Sequence, residues 1–236
     1  IDYYYYMEKK FNINEEFFSE RMKEMIESYP IPDGGYMTLT RKMNHCLDVG
    51  ANVGAFSVLF SEFCNKVISV EPYKPNYDFM VNKIKELKID NIITYNKAIS
   101  SKDGEIINMN VTTHESDSKD ISTTDPKEWT NVYGETSTIH LGTAETMTYS
   151  YITENYSNID YMKVDCEGCE YDLLMGADLK DVKLLALELH GGYIGKKKKR
   201  KLMNYLGTQF KTILPRPDSN EVFMLLNVNV PVVNQR

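Results

Sequence analysis

Two groups of residues in this 236-residue chain have the types and spacing that chemistry requires. The first is the turn Asp48-Val49-Gly50-Ala51-Asn52-Val53-Gly54-Ala55-Phe56-Ser57, which leaves a short apolar run and opens a helical pattern. Glycine there lets the backbone reverse sharply and approach a ligand closely. Glu71 follows Gly50 by 21 residues and ends the next apolar run, where a carboxylate accepts hydrogen bonds from two ribose hydroxyls. Turn and carboxylate together point to an adenosine-containing cofactor. The dinucleotide fingerprint fails, because Asn52 takes its second glycine position and Ala55 its third, so a pyrophosphate is poorly accommodated. The plainer alternatives are a simple strand-to-helix turn and a solvated strand-end carboxylate.

The second group is Lys163 with Asp165 and Glu188 with His190. Each pair is spaced by two, so on a strand its members share one face. Neighbouring parallel strands would bring all four together, either as a structural ion-pair network or as a cluster that binds an acceptor and handles its proton. Glu167 and Glu170 flank the turn into the next helix and are read as dipole-complementing, capping carboxylates. Cys166 and Cys169 have C-x-x-C spacing, but no second such pair or His pair accompanies them, so the spacing is read as coincidence and zinc is not expected. The site is read without a metal. A divalent ion held by Asp165, Glu188 and His190 is the competing arrangement, since carboxylate and imidazole ligands suit several metals. His45 and His140 lie in strand-like surroundings and read as structural, whereas His114 could face a substrate.

These residues must be positioned by the elements around them. From His45 onward, short β-rich runs (46–49, 67–70, 92–95, 161–164, 184–189) alternate with amphipathic stretches (54–64, 76–88, 169–175, 196–206), which implies an α/β domain with a parallel sheet covered on both faces. Gly50, Glu71, Asn96 to Ala98, Asp165 and His190 all fall at carboxyl ends of strands, where open α/β sheets bind ligands. The alternation breaks after Gly104: strands are expected at 105–111 and 137–141, with a polar stretch, 113–135, as a lid or acceptor-binding loop. Residues 211–214 and 222–228 read as a C-terminal antiparallel hairpin. Ahead of the domain, residues 1–42 form an extension in which Asn14 caps a helix carrying Phe18, Met22, Met25 and Ile26.

Composition narrows the function classes. At 42% hydrophobic and 26% charged, the chain is globular rather than disordered. The net charge is −7, and six of the 27 basic residues sit in the block Lys196 to Lys201; the rest carries 21 basic against 34 acidic residues, which argues against broad nucleic-acid binding. That block reads as a solvated helix face. No apolar run approaches the roughly 20 residues of a bilayer span, and no leader pattern opens the chain. Four cysteines suit a reducing compartment, so a soluble, cytoplasmic protein is expected. The chain opens on Ile1, read as a trimmed start or as one domain of a longer polypeptide.

Five segments taken in order, Asp48-Val49-Gly50-Ala51-Asn52-Val53-Gly54, Val70-Glu71-Pro72, Asn96-Lys97-Ala98-Ile99-Ser100, Lys163-Val164-Asp165-Cys166-Glu167-Gly168-Cys169-Glu170 and Glu188-Leu189-His190, resemble the FkbM family of S-adenosylmethionine-dependent methyltransferases. The resemblance runs from about Cys46 to His190, and the Lys-x-Asp-x-Glu-Gly-x-Glu stretch is its most specific part. It implies a Rossmann-like class I methyltransferase fold over 43–236, a mostly parallel seven-stranded sheet in the order 3-2-1-4-5-7-6, and O-methylation of a sugar, glycan or related small molecule. Carried onto this chain, it implies cofactor contacts from Asp48, Gly50, Ala51, Asn52, Gly54 and Ser57, with Gly50 to Gly54 at the methionine portion. Glu71 and Pro72 would lie at the ribose, Asn96, Lys97 and Ala98 near the adenine, and Asp165 near the sulfonium. Asp165, His190, Lys163 and Glu188 are the catalytic candidates, with His190 or Asp165 as the base. The rival expectations are an RNA methyltransferase and a non-catalytic cofactor-binding module of a larger protein.

Overall fold

The computed structural model describes residues 43–113, 121–122, 137–215, 219 and 221–227. The expected 1–42 extension, His114 and most of the 113–135 stretch lie outside the described residues.

Seven strands form the main sheet: β1 (Met43–Val49), β2 (Cys64–Val70), β3 (Ile92–Tyr95), β8 (Ile159–Val164), β9 (Leu184–Glu188), β10 (Thr212–Pro215) and β11 (Val222–Leu226). Their order is β10-β11-β9-β8-β1-β2-β3, which, counting these seven along the chain and reading from the β3 edge, is 3-2-1-4-5-7-6. β1, β2, β3, β8 and β9 pair in parallel, while β11 runs antiparallel to both β9 and β10, closing the edge with the expected hairpin. Central parallel strands are covered on both faces and therefore read as apolar runs. β8 obeys this with all six residues buried, yet it contains Asp160 and Lys163. Asp160 is satisfied by the Asn44 backbone N–H at 2.8 Å and by Lys183 at 2.9 Å. Lys163 is satisfied at the site described below.

Helices cover the sheet. α1 (Ala55–Ser61) is buried along its whole length, and Phe60 stacks on Phe56 and leans on Tyr161 of β8. α2 (Lys74–Glu86) starts with Pro75 in its first turn, where a missing N–H costs nothing, and buries Met80 and Ile84. α4 (Glu170–Leu174) follows β8, and α6 (Lys196–Gln209) buries Leu202 and Leu206. Lys196 to Lys198, Arg200 and Lys201 are exposed, as a solvated face requires, while Lys198 and Lys201 lie over the Tyr171 ring at 5.5 and 5.9 Å. Two short helices went unread in the sequence. α3 (Tyr149–Asn155), capped by the Thr148 hydroxyl, buries only Ile152 and so leaves no apolar period. α5 (Gly191–Ile194) is a single turn after β9.

A second sheet of order β4-β7-β5-β6 joins β4 (Ala98–Ile99), β5 (Ile106–Thr113), β6 (Ile121–Ser122) and β7 (Ser137–Met147). β7 runs to Met147 rather than ending near 141, because Thr146 and Met147 pair with Ala98 and Ile99. It thereby ties this sheet to the end of β3. Residues 121–122 pair with β5 as a short strand inside the stretch read as loop.

The largest buried cluster lies between β8, β9, α4 and α6, with Leu185 fully enclosed on β9. Leu185→Ala should cost about 2 to 5 kcal/mol through lost transfer energy and a residual cavity. Urea denaturation should show a lower midpoint with an unchanged slope; a midpoint shift near zero would mean that β9 does not carry this core.

Candidate active site

The turn after β1 is shaped by close approach. Gly50 has φ +75°, and a Cβ there would meet the Asp165 carbonyl oxygen at 1.8 Å, so only glycine lets the ends of β1 and β8 come this near. Gly54 has φ +85°, with Met80 Cγ 2.6 Å from where a Cβ would stand. Four of the loop amides are spent inside the protein. Those of Gly50 and Ala51 donate to the Val70 carbonyl, Gly54 donates to Ala51, and Asn52 donates to Glu71 Oε2 at 2.8 Å. Glu71 Oε1 accepts from the Tyr73 N–H at 2.9 Å, and Asn96 Nδ2 clamps the Glu71 and Pro72 carbonyls at 2.9 Å each. Burial pushes the Glu71 carboxyl up to about 7, against the two amides and Lys163, which favour its charge.

Lys163 is the side chain that joins this loop to β8. Its ammonium, only 2% exposed, donates to the Gly50 carbonyl at 2.9 Å and lies 3.3 Å from Asp165 Oδ2 and 3.7 Å from Asp48 Oδ1. Burial works against its charge, but Asp165 and Asp48 outweigh burial and the pKa moves up. Asp48 is fully buried and accepts from the Ser57 hydroxyl at 2.6 Å, which in turn accepts from Ser69. Asp48 and Ser57 are therefore enclosed behind the loop. Asp48 Oδ2 holds the Ser57 hydroxyl, while Oδ1 faces the Lys163 ammonium at 3.7 Å with no hydrogen bond of its own.

Beyond Lys163 the strand ends open into a carboxylate cluster around His190. Nε2 of His190 lies 3.9 Å from Asp165, 3.8 Å from Glu188 and 3.3 Å from Glu167, while Nδ1 lies 2.7 Å from Glu170 Oε1. Burial opposes charge on this imidazole, but the Glu170 hydrogen bond and the Glu167 and Asp165 carboxylates prevail and raise its pKa to about 10. The strand pairing Val164 with Leu187 sets Asp165 beside Glu188, so the four sequence candidates, Lys163, Asp165, Glu188 and His190, do lie together. His190 stands two residues past the end of β9, ahead of α5.

Two residues do more than the helix-end role read from the sequence, although Glu170 does lie in the first turn of α4. Glu170 is fully buried and turned to His190 and the Gly168 N–H, and Glu167, at φ +50°, reaches the same imidazole. Both had been read as helix-end carboxylates; their spacing from Asp165 in Lys-x-Asp-x-Glu-Gly-x-Glu was the available signal. The C-x-x-C spacing is not a coincidence either: Cys166 and Cys169 are joined as a disulfide. That disulfide, with Gly50, Pro72, Lys97 and Ala98, lines a small pocket at the strand ends. Lys97 pairs with Glu145 of β7 at 2.5 Å. Of the remaining histidines, His45 Nδ1 meets the Ser157 carbonyl in a structural contact.

The sheet order, with its reversed final pair, and the ligand-side turn after β1 define a Rossmann-like class I methyltransferase fold. Residues 48–225 match the methyltransferase FkbM domain, and the chain belongs to that family. A methyltransferase FkbM from Methylobacillus flagellatus KT is similar in structure, with a TM-score of 0.52 and 12% identity over 94% of this chain and 57% of that one. YcgJ from Bacillus subtilis is 19% identical over 34% of this chain and 30% of its own, with a TM-score of 0.26. Fibrillarin from Aeropyrum pernix, solved with natively bound S-adenosyl-L-methionine, is 10% identical over 79% and 67% of the two chains, with a TM-score of 0.40. The chain thus spans less than two thirds of the Methylobacillus and Bacillus chains. No curated protein matches. Among the described residues, no helix is long and apolar enough to cross a membrane.

A carboxyl pushed from 4.5 to about 7 by burial holds its proton longer folded than unfolded, so it costs the fold stability as pH rises through that window. The full cost is on the order of 3 kcal/mol. Glu71→Gln carries no such charge, so its stability relative to wild type should climb between pH 5 and pH 8. Parallel denaturation curves at the two pH values, with a constant difference, would place the Glu71 pKa near its ordinary value.

Proposed function

We propose that the protein is an S-adenosylmethionine-dependent O-methyltransferase acting on a hydroxyl of a sugar, glycan or related small molecule. One observation carries this reading: a single buried ammonium, Lys163, touches both the Gly50 turn on the cofactor side and Asp165 in the open carboxylate cluster.

The turn suits S-adenosylmethionine better than a dinucleotide. The amides of Gly50, Ala51, Asn52 and Gly54 are already committed within the protein and so are not offered to a pyrophosphate, whereas the Glu71 carboxylate keeps lone pairs for ribose hydroxyls. S-adenosylmethionine supplies a methyl group activated on a sulfonium. Asp165, 20% exposed and held by Lys163, lies where a carboxylate favours that positive charge. Family membership supports methyl transfer, and the choice of oxygen over nitrogen or carbon as acceptor rests on the cluster.

The chain's own residues orient the acceptor hydroxyl and take its proton. Orientation in line with the departing sulfur supplies much of the acceleration. Asp165 is the best-placed proton acceptor: its Oδ2 faces Lys163 and its Oδ1 faces His190, so it lies between the two halves of the site. The hydroxyl proton becomes acidic as the oxygen–carbon bond forms, which makes a carboxylate a sufficient base. Glu188 and His190 would hold the acceptor's oxygens. The residues read as lid or acceptor-binding element, 113–135, and the 1–42 extension would set acceptor identity.

The test is mass-spectrometric profiling of cellular glycans and small molecules, with and without the gene, under methyl-labelled methionine. A labelled O-methyl group lost with the gene and restored by wild type is expected. Asp165→Asn should restore at least about 100-fold less, in keeping with general-base contributions. A lost methyl mark on RNA would favour the nucleic-acid reading, and full restoration by Asp165→Asn would remove Asp165 as the base.

A further inference from the structure

We propose that Asp165, Glu188 and His190 form a binding site for one hard divalent cation of the Mn²⁺ or Mg²⁺ class. One ligand atom from each residue lies within 4.8 Å of the others, with His190 Nε2 at 3.9 Å from Asp165 and 3.8 Å from Glu188. Metal bonds of about 2.0 to 2.2 Å set adjacent ligand atoms roughly 3 Å apart, so closing on an ion requires these side-chain ends to move by about 1 Å or somewhat more. All three are partly exposed, which leaves room on one side for water and for a ligand's oxygens.

A second, independent feature is how the imidazole is held. Nδ1 of His190 is fixed at 2.7 Å by Glu170, which is fully enclosed and itself braced by the Gly168 N–H at 3.2 Å. The ring also stacks on Tyr193 at 5.5 Å between centroids. Nε2 therefore faces the open cluster, with Glu167 at 3.3 Å and Glu188 and Asp165 at 3.8 and 3.9 Å. A carboxylate behind the far ring nitrogen is the arrangement that orients metal-ligating histidines and raises their basicity.

The charges leave room for two positive units. Asp48 and Asp165 lie at Lys163, and Asp165, Glu167, Glu170 and Glu188 lie at His190, so five carboxylates face one ammonium and one imidazole whose proton an ion would displace. Two carboxylates and one imidazole suit hard or borderline ions with octahedral preference rather than soft ones. The inference rests on the O-methyltransferase reading for its use: the ion's open positions take acceptor oxygens and lower the pKa of a bound hydroxyl, while Asp165 Oδ2 stays on the Lys163 side for the proton.

The test uses Mn²⁺ itself, titrated into the chelator-stripped protein by calorimetry and electron paramagnetic resonance. One saturable site with imidazole nitrogen modulation in the spin echo is expected. Glu188→Gln and Asp165→Asn should each weaken it at least about tenfold, His190→Gln should also remove the nitrogen signal, and Glu170→Gln, acting through His190, should weaken it about 10- to 100-fold. Circular dichroism checks that each variant is folded. Absence of Mn²⁺ binding at millimolar concentration, or binding indifferent to all three ligand substitutions, overturns the site. S-adenosylhomocysteine titrated in parallel separates the two claims: if it binds and Mn²⁺ does not, the metal site fails and the methyltransferase reading stands. If Mn²⁺ binds with the expected substitution pattern and S-adenosylhomocysteine does not, the site stands and the reading fails.

Discussion

One ammonium buried in a parallel sheet organises this molecule. Lys163 stands on β8, every residue of which is buried, and a charge there persists only because Asp48, Asp165 and the Gly50 carbonyl surround it. Removing an ion from water is expensive, and breaking a buried pair is more damaging than never having built it. The arrangement therefore dictates what lies around it. Position 50 must be glycine so that β1 and β8 can approach, and Asp48 must be enclosed. Asp165 must emerge at the strand end with one oxygen turned inward and one outward.

The two sides of Lys163 are built on different physics. On the cofactor side the backbone is rigid because its amides are satisfied within the protein, and Glu71 is the buried carboxylate that ties the turn to β2. On the acceptor side the side chains are half-exposed and strongly negative, and rigidity comes from Glu170 behind His190. Membership of the FkbM family fits the proposed division between a cofactor side and an acceptor side.

Much of this was legible in the sequence. Parallel strands buried on both faces write themselves as apolar runs and the closing hairpin as two such runs around a proline turn, so all seven strands of the main sheet and α1, α2, α4 and α6 could be placed to within a few residues. The spacing of two within Lys163/Asp165 and Glu188/His190 foretold their juxtaposition, because strand pairing carries such spacing directly into space. Side-chain direction inside a turn was not legible. Glu167 and Glu170 follow the end of β8, where no period predicts orientation, and a dipole argument sent them to the helix rather than to His190. The Cys166–Cys169 disulfide was missed because composition spoke for the whole chain while the local backbone brought the two together. α3 left no trace because a helix with one buried residue has no apolar stripe.

The coupling through Lys163 is best tested by calorimetric titration of S-adenosylhomocysteine into the Asp48→Asn/Lys163→Met double variant. Removing both buried charges together leaves neither unpaired, so the fold can be retained and verified by circular dichroism. The expected result is a folded protein that binds at least about tenfold more weakly than wild type, a difference of about 1.4 kcal/mol, because nothing then holds the Gly50 carbonyl against Asp165. A folded double variant with wild-type affinity would show that the turn keeps its shape without the ammonium, and would contradict the role given to Lys163.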